Sequence, residues 1–300
     1  MNSEKITRDL MYELYVKQKL STPQIAKIIK KDKFKVYHLL KKFEIPTRTI
    51  SESRMKYPKL QFSNNDFEYA YLMGLRPGDI HARRHRKQIM AMTQTTHPSM
   101  VELIHKVFGK YGHVSMTPVQ IFNQRFGWHV RCFLDSSFSF LLTKPKNIPK
   151  DIISSYTTFM GFLSGYFDSE GCIVFGHSED YLKFRFEILS TDFGILEDIY
   201  HKLLEFGYHP TLTKVNRKIY KNGALLLRLY HRKEVLKILR DLQLIHPEKI
   251  KKRDLIFRFK DCNKFSAIEK EIKKLRNKIK AEVKEFVKIA GMKYKNRKKS

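Results

Sequence analysis

The apolar positions of this chain follow two rhythms. Over residues 1–48 they recur at every third or fourth position. Leu10, Leu14 and Tyr15 mark one helix, Ile25, Ala26 and Ile29 a second, and Phe34, Val36, Leu39, Leu40 and Phe43 a third. Ser21 is placed to cap the second, with Thr22 and Pro23 in its first turn. Further along the rhythm becomes alternation. In YLKFRFEI, Leu182, Phe184, Phe186 and Ile188 face one way while Lys183, Arg185 and Glu187 face the other. In GWHVRCFL, Trp128, Val130 and Cys132 alternate with His129 and Arg131. These are strands with one apolar face and one cationic, hydrogen-bonding face.

The strands come in pairs between helices, and the whole order is written twice. YAYLMGLRPGDI precedes HARRHRKQIMAMTQT, the helix HPSMVELIHKVFGKYG and two more strands. FMGFLSGYFDSEG precedes CIVFGHSEDYLKFRFEILST, the helix DFGILEDIYHKLLEFGYHP and two more strands. Asp79 and Glu170, 91 residues apart, close the two apolar helices. The pattern predicts an α+β fold in two copies, residues 66–150 and 151–262, each running helix, hairpin, helix, hairpin, helix. Residues 1–48 form a separate helical module. A polar stretch over 49–65 reads as a linker. Over 263–300, Ile268, Ile272, Leu275, Ile279, Val283, Phe286 and Ala290 recur at helical spacing, predicting an amphipathic helix with a ragged basic end.

Charge narrows the function. The 300 residues hold 59 Lys plus Arg against 30 Asp plus Glu, a net +29. Such a field calls for a polyanionic partner, nucleic acid first. Residues 1–48 carry +7 and residues 263–300 carry +10. Cys132, Cys172 and Cys262 are far apart, which argues against a disulfide scaffold and a cysteine-built zinc site. There is no signal-like stretch and no apolar run near 18 residues, so a soluble intracellular protein without a membrane role is expected, organelles included. No glycine-rich phosphate loop points to ATP.

The first module resembles a helix-turn-helix over LSTPQIAKIIKKDKFKVYHLLKKFEI, with Lys31, Lys33, Lys35, Tyr37, His38 and Lys41 as candidate groove-facing residues. Two helices packed side by side need small residues where their backbones approach, and Gly74, Gly165 and Ser164 fall at such places. If both motif helices end together, Asp79 and Glu170 repel unless divalent cations lie between them. Hard oxygen donors suit Mg²⁺, with Mn²⁺ as a substitute.

FLSGYFDSEG, residues 162–171, resembles the signature of the LAGLIDADG homing endonucleases, and YLMGLRPGDI, residues 71–80, resembles a degenerate first copy. The resemblance spans about residues 66–260. It implies two pseudo-symmetric αββαββα halves meeting through the motif helices in a DNA-binding saddle. It further implies a monomer acting on a long asymmetric double-stranded target, with Asp79 and Glu170 as the metal-binding catalytic acids. A supporting lysine after the last hairpin of each half is matched by Lys249, with Lys251 next, and by Lys146 or Lys144. The polar strand faces offer DNA contacts: Arg84, Arg86, Gln88, Gln120, Asn123, Arg125, His129 and Arg131 in the first half. In the second they are Lys183, Arg185, Lys214, Asn216, Arg217, Lys218, Arg228 and Tyr230. The first motif departs from the pattern. Arg76-Pro77 replaces an apolar-acidic pair and Ile80 stands at the glycine position. A nickase, a non-catalytic DNA-binding regulator and an RNA maturase acting on intron RNA therefore stay open beside the endonuclease.

Overall fold

The structure is a computed structural model that describes residues 6–18, 20–48, 57–121, 125–216, 220 and 223–297. The chain divides into two units, Met1–Pro58 and Lys59–Ser300.

In the first unit, α1 (Arg8–Tyr12) runs into a π-helical turn (Glu13–Lys17), followed by α2 (Thr22–Ile28) and α3 (Lys33–Lys42). Gln24 Oε1 accepts the Ser21 N–H at 2.9 Å, so α2 opens where Ser21 predicts. Asp32 caps α3 by accepting the Phe34 N–H at 2.7 Å. Met11, Leu14, Ile25, Val36 and Leu40 fill the small core. Two expectations change. Met11 replaces Leu10 as the buried residue of the first helix, and Phe34 is 66% exposed rather than core.

The second unit contains both copies. The first has α4 (Asp66–Gly78), β1 (His81–His85), β2 (Gln88–Thr95), α5 (Pro98–Phe108), β3 (Val114–Ile121), β4 (Arg125–Leu134), a 3₁₀ segment (Ser136–Leu142) and the one-turn α6 (Lys150–Ile153). The second has α7 (Tyr156–Glu170), β5 (Gly171–Ser178), β6 (Tyr181–Ser190), α8 (Phe193–Glu205), β7 (Thr211–Val215), β8 (Ala224–Leu229), α9 (Arg232–Asp241) and α10 (Pro247–Arg258). Each copy builds an antiparallel four-stranded sheet of identical topology, β1-β2-β4-β3 and β5-β6-β8-β7. This is the two-repeat α+β saddle expected from the sequence. One face of each sheet packs on its own helices around its own core, in keeping with the alternation. The segment read as a linker up to Asn65 is packed from Leu60 onward: the Leu60 N–H reaches Tyr111 O, and Phe62 inserts against Phe138 and Phe140.

The basic C-terminal segment is one helix, α11 (Ser266–Arg297). Ile268 and Ile272 join the core of the second repeat, whereas Ala290 joins that of the first, where Phe286 O accepts the Trp128 Nε1–H at 3.2 Å. The helix straps the two repeats together.

Candidate active site

Helices α4 and α7 pack along their length, and their crossing is reciprocal. A β-carbon on Gly74 would overlap the carbonyl oxygen of Phe162, and one on Gly165 would overlap that of Tyr71. Both pairs are related by the same 91-residue offset, so the crossing point lies on the pseudo-two-fold. Only glycine allows backbones this close. Ser164 is fully buried, but its hydroxyl is spent elsewhere: it donates to Met160 O at 2.7 Å and accepts the Gln243 N–H at 3.0 Å.

The helices end together, each with an acid. Asp79 follows α4 and Glu170 closes α7. Gly78 marks how close the ends are, since a β-carbon there would lie 2.6 Å from Glu170 Oε1. Burial, aided by the charges of Asp79 and Asp192 and opposed by Lys249 and Lys144, pushes the Glu170 carboxyl up to about 6. Burial also raises Asp79, opposed by Lys249 and His97. Two carboxylates held in a partly desolvated place with too little positive charge prefer their protons or a cation. Among the described residues no group of three or more His, Cys, Asp or Glu could hold a metal ion. The pair offers hard carboxylate oxygens, the donor type that hard divalent cations take.

Beside Asp79 a cleft of about 530 Å³ is lined by His81, Gln94, His129 and Lys144. Lys144 also bonds Asp192 Oδ1 at 3.1 Å. Of the two lysines weighed for the first half, Lys144 therefore stands at the site. Lys146 is exposed in the same loop and does not line the cleft. Lys249 is buried on α10. Its ammonium donates to Phe167 O, to Asp168 O at 2.7 Å and to Ser169 O at 3.4 Å, the carbonyls just before Glu170. Desolvation lowers it to about 8 although Asp168, Asp79 and Glu170 oppose the shift. It is a cation capping a helix C-terminus within reach of both acids.

Asp168 was not singled out in the sequence, though it stands two residues before Glu170 in the second motif. Its buried Oδ2 accepts Tyr71 OH at 2.7 Å, Ile245 N–H at 2.6 Å and His246 N–H at 3.2 Å. It ties the α7 end to the start of α10 and to the other repeat.

The open faces of the sheets follow from register. On the first, Gln88, His129 and Arg131 share the face of His81, Arg83 and Gln94, and Arg131 Nη2 donates to Thr117 Oγ1 at 3.0 Å. Arg125 lies on the same face at the end of β4. Arg84 and Gln120 do not. Arg84 pairs with buried Ile89, and Gln120 pairs with Phe126 on the packed face. Ala82, the one apolar residue of HARRH, fixes the phase of β1, so Arg83 projects where Arg84 was expected. Arg86 sits in the two-residue turn at φ 56°. On the second sheet, Lys183, Arg185 and Arg228 share the open face, with Glu187 Oε1 held at 3.1 Å by both arginines and Tyr230 OH at 3.2 Å from Arg228. Lys214 pairs with Leu225 on the other face, and exposed Asn216 follows the end of β7. Asn123, Arg217 and Lys218 lie outside the described residues. In the first unit, Lys33, Lys35, Tyr37 and His38 are all exposed on α3.

The family model of the LAGLIDADG-like domain matches residues 158–243. The chain carries a LAGLIDADG-like domain. The match takes in α7 from its third residue, the second sheet and α9, and α4 stands at the equivalent place in the first repeat. Among solved structures, the chain is similar to the homing endonuclease I-WcaI bound to its DNA recognition sequence (16% identity, 64% of this chain and 88% of that chain, TM-score 0.47). It is also similar to I-DmoI in complex with DNA and Mn (14% identity, 59% and 96%, TM-score 0.40). The N-terminal LAGLIDADG domain of DUF199/WhiA is a third (12% identity, 62% and 87%, TM-score 0.39). A comparison with curated proteins gives no match. Among the described residues, no helix is long and apolar enough to cross a membrane.

Proposed function

We propose that this protein is a site-specific DNA endonuclease that hydrolyses phosphodiester bonds with divalent metal ions, Mg²⁺ by preference and Mn²⁺ in its place. The observation that carries the reading is the convergence of Asp79 and Glu170 at the ends of two helices whose glycines interlock on a pseudo-two-fold. The open faces beside them bear His129, Arg131, Lys183, Arg185 and Arg228. Double-stranded DNA lies along these faces, with arginines and glutamines reading base edges and lysines meeting phosphates.

Asp79 and Glu170 would hold the metal, which would supply charge neutralisation at the scissile phosphate and a better nucleophile from water. The chain's own part is electrostatic and positional. A cation bound between the two carboxylates would keep both ionised against the burial that raises them. Lys249 holds the carbonyls that precede Glu170, and Lys144 adds positive charge on the side of the first acid. The N-terminal unit acts as a helix-turn-helix that lengthens the footprint through α3, and the protein works as a monomer because both halves lie in one chain.

The test is digestion of host genomic DNA with Mg²⁺ or Mn²⁺ and sequencing of all new ends, with Asp79→Asn and Glu170→Gln alongside. Recurrent ends at one locus, lost in the variants, are expected. Salt-sensitive DNA binding without recurrent ends refutes the endonuclease.

A further inference from the structure

Arg76 is a buried cation whose described hydrogen bonds reach no carboxylate. It is 8% exposed, its Nε–H donates to Leu141 O at 2.7 Å, and its Nη1–H donates to Ile80 O at 2.6 Å. Burial lowers its pKa from the ordinary value. Taking a guanidinium out of water is costly unless its N–H groups are hydrogen-bonded, and two backbone carbonyls accept them. These carbonyls belong to the residue after Asp79 and to the 3₁₀ segment that leads to Lys144.

We propose that Arg76 is the positioning residue of the first acid, doing for Asp79 from within its own helix what Lys249 does for Glu170 from α10. The inference rests on the endonuclease reading and deepens it: the altered first motif is a working one, and both strands are cut.

The two repeats show the exchange position by position. Ninety-one residues beyond Arg76 stands Phe167, stacked on Phe186 with ring centroids 4.3 Å apart, so no cation comes from the second motif helix itself. Lys249 provides one instead, on the carbonyls of Phe167, Asp168 and Ser169. Ninety-one residues beyond Pro77 stands Asp168, which ties the end of α7 to the N–H groups of Ile245 and His246. Pro77 can make no such tie. The Arg76 bond to Leu141 O provides one in the opposite sense, cation to carbonyl in place of carboxylate to amide. The replacement of two residues in LRPGDI is thus a coupled change. Each repeat has a buried cation at its motif-helix end and a tether to the segment after its sheet. The bond from Arg76 to Ile80 O spans Pro77, Gly78 and Asp79, and it fixes the backbone on which the Asp79 carboxylate turns.

The full-length protein is incubated with Mg²⁺ and a duplex carrying its mapped site, labelled separately on each strand, and the two nicking rates are measured for wild type, Arg76→Met, Arg76→Lys and Lys249→Met. Arg76→Met is expected to slow one strand about 100-fold relative to the other, the loss that follows from an ångström-scale misplacement of a catalytic group. Lys249→Met is expected to bias the opposite strand, and Arg76→Lys to recover part of the ratio. Misfolded protein lowers both rates equally and leaves the ratio untouched, so the ratio separates positioning from stability. Should Arg76→Met yield no folded protein, the Arg76→Lys ratio decides in its place. Equal slowing of both strands, bias of the same strand by both variants, or a wild-type enzyme that nicks one strand at a rate Arg76→Met does not alter overturns the inference while leaving the endonuclease standing. No cutting by wild type with Mg²⁺ or Mn²⁺ defeats the endonuclease reading, and this inference with it.

Discussion

Gly78→Ala should damage the acid of the other repeat. A β-carbon at position 78 lies 2.6 Å from Glu170 Oε1 and 2.5 Å from Ser169 Oγ. Ordinary contact begins near 3.4 Å, so the carboxylate must retreat by 0.8 Å, the difference of the two distances. Both oxygens end side chains, but Ser169 Cβ, 2.6 Å away, is carried by the backbone, so the end of α7 must shift as well. Gly78 does not have positive φ and closes a helix, where alanine is favoured over glycine by about 1 kcal/mol. That gain offsets only part of the cost of moving the end of α7, so folding should be weakened by about 1–3 kcal/mol. Catalysis should not be spared: a shift approaching 1 Å in a metal-holding group costs on the order of 10- to 100-fold, or about 1.4–2.7 kcal/mol in the barrier. The assay is the strand-resolved nicking rate on the mapped duplex, with thermal unfolding in parallel. The strand slowed should be the one slowed by Lys249→Met, because both act on Glu170. Unchanged rates on both strands, or an equal loss on both, would refute the argument that the two helix ends share one site.

Metal-free protein should lose stability as pH rises from about 4.5 to about 6, because the folded state holds a proton on Glu170 that the unfolded chain releases first; the shift amounts to about 2 kcal/mol and should vanish in Glu170→Gln, as read by denaturant unfolding at stepped pH. Lys249→Met should destabilise by about 1–3 kcal/mol, since the α7 carbonyls lose their donor, with thermal unfolding as the measurement. Phe34→Ala should leave stability within about 0.5 kcal/mol but weaken binding to the mapped duplex, because this exposed ring stands among Lys33, Lys35 and Tyr37 on α3; unchanged affinity in a titration would remove α3 from the interface.

Much of the fold was readable because it rests on local periodicity. Alternation in YLKFRFEI and GWHVRCFL set their faces, and the repeated order of elements set the two sheets. Asp79 and Glu170 were readable because each closes an apolar helix at the same place in its copy. The misreadings have physical causes. Phe34 lies in a short helix where two apolar residues, Val36 and Leu40, already fill the inward stripe. Arg84 lost its place to Arg83 because one small residue, Ala82, fixes the phase of β1, and arginines on either side look alike in sequence. Phe62 was hidden in a polar stretch whose packing depends on Phe138 and Phe140, more than 70 residues later.

The sequence alone determined the repeat, the alternation, the excess of positive charge and the acids at the two helix ends, since each is a property of neighbours along the chain. Only tertiary structure decided what those acids experience. The clash-free crossing at Gly74 and Gly165, the carbonyls held by Lys249 and Arg76, and the choice of Lys144 over Lys146 all join residues distant in the chain or turned by a backbone path. Burial and charge at a site are sums over such neighbours in space, and composition and spacing cannot carry them.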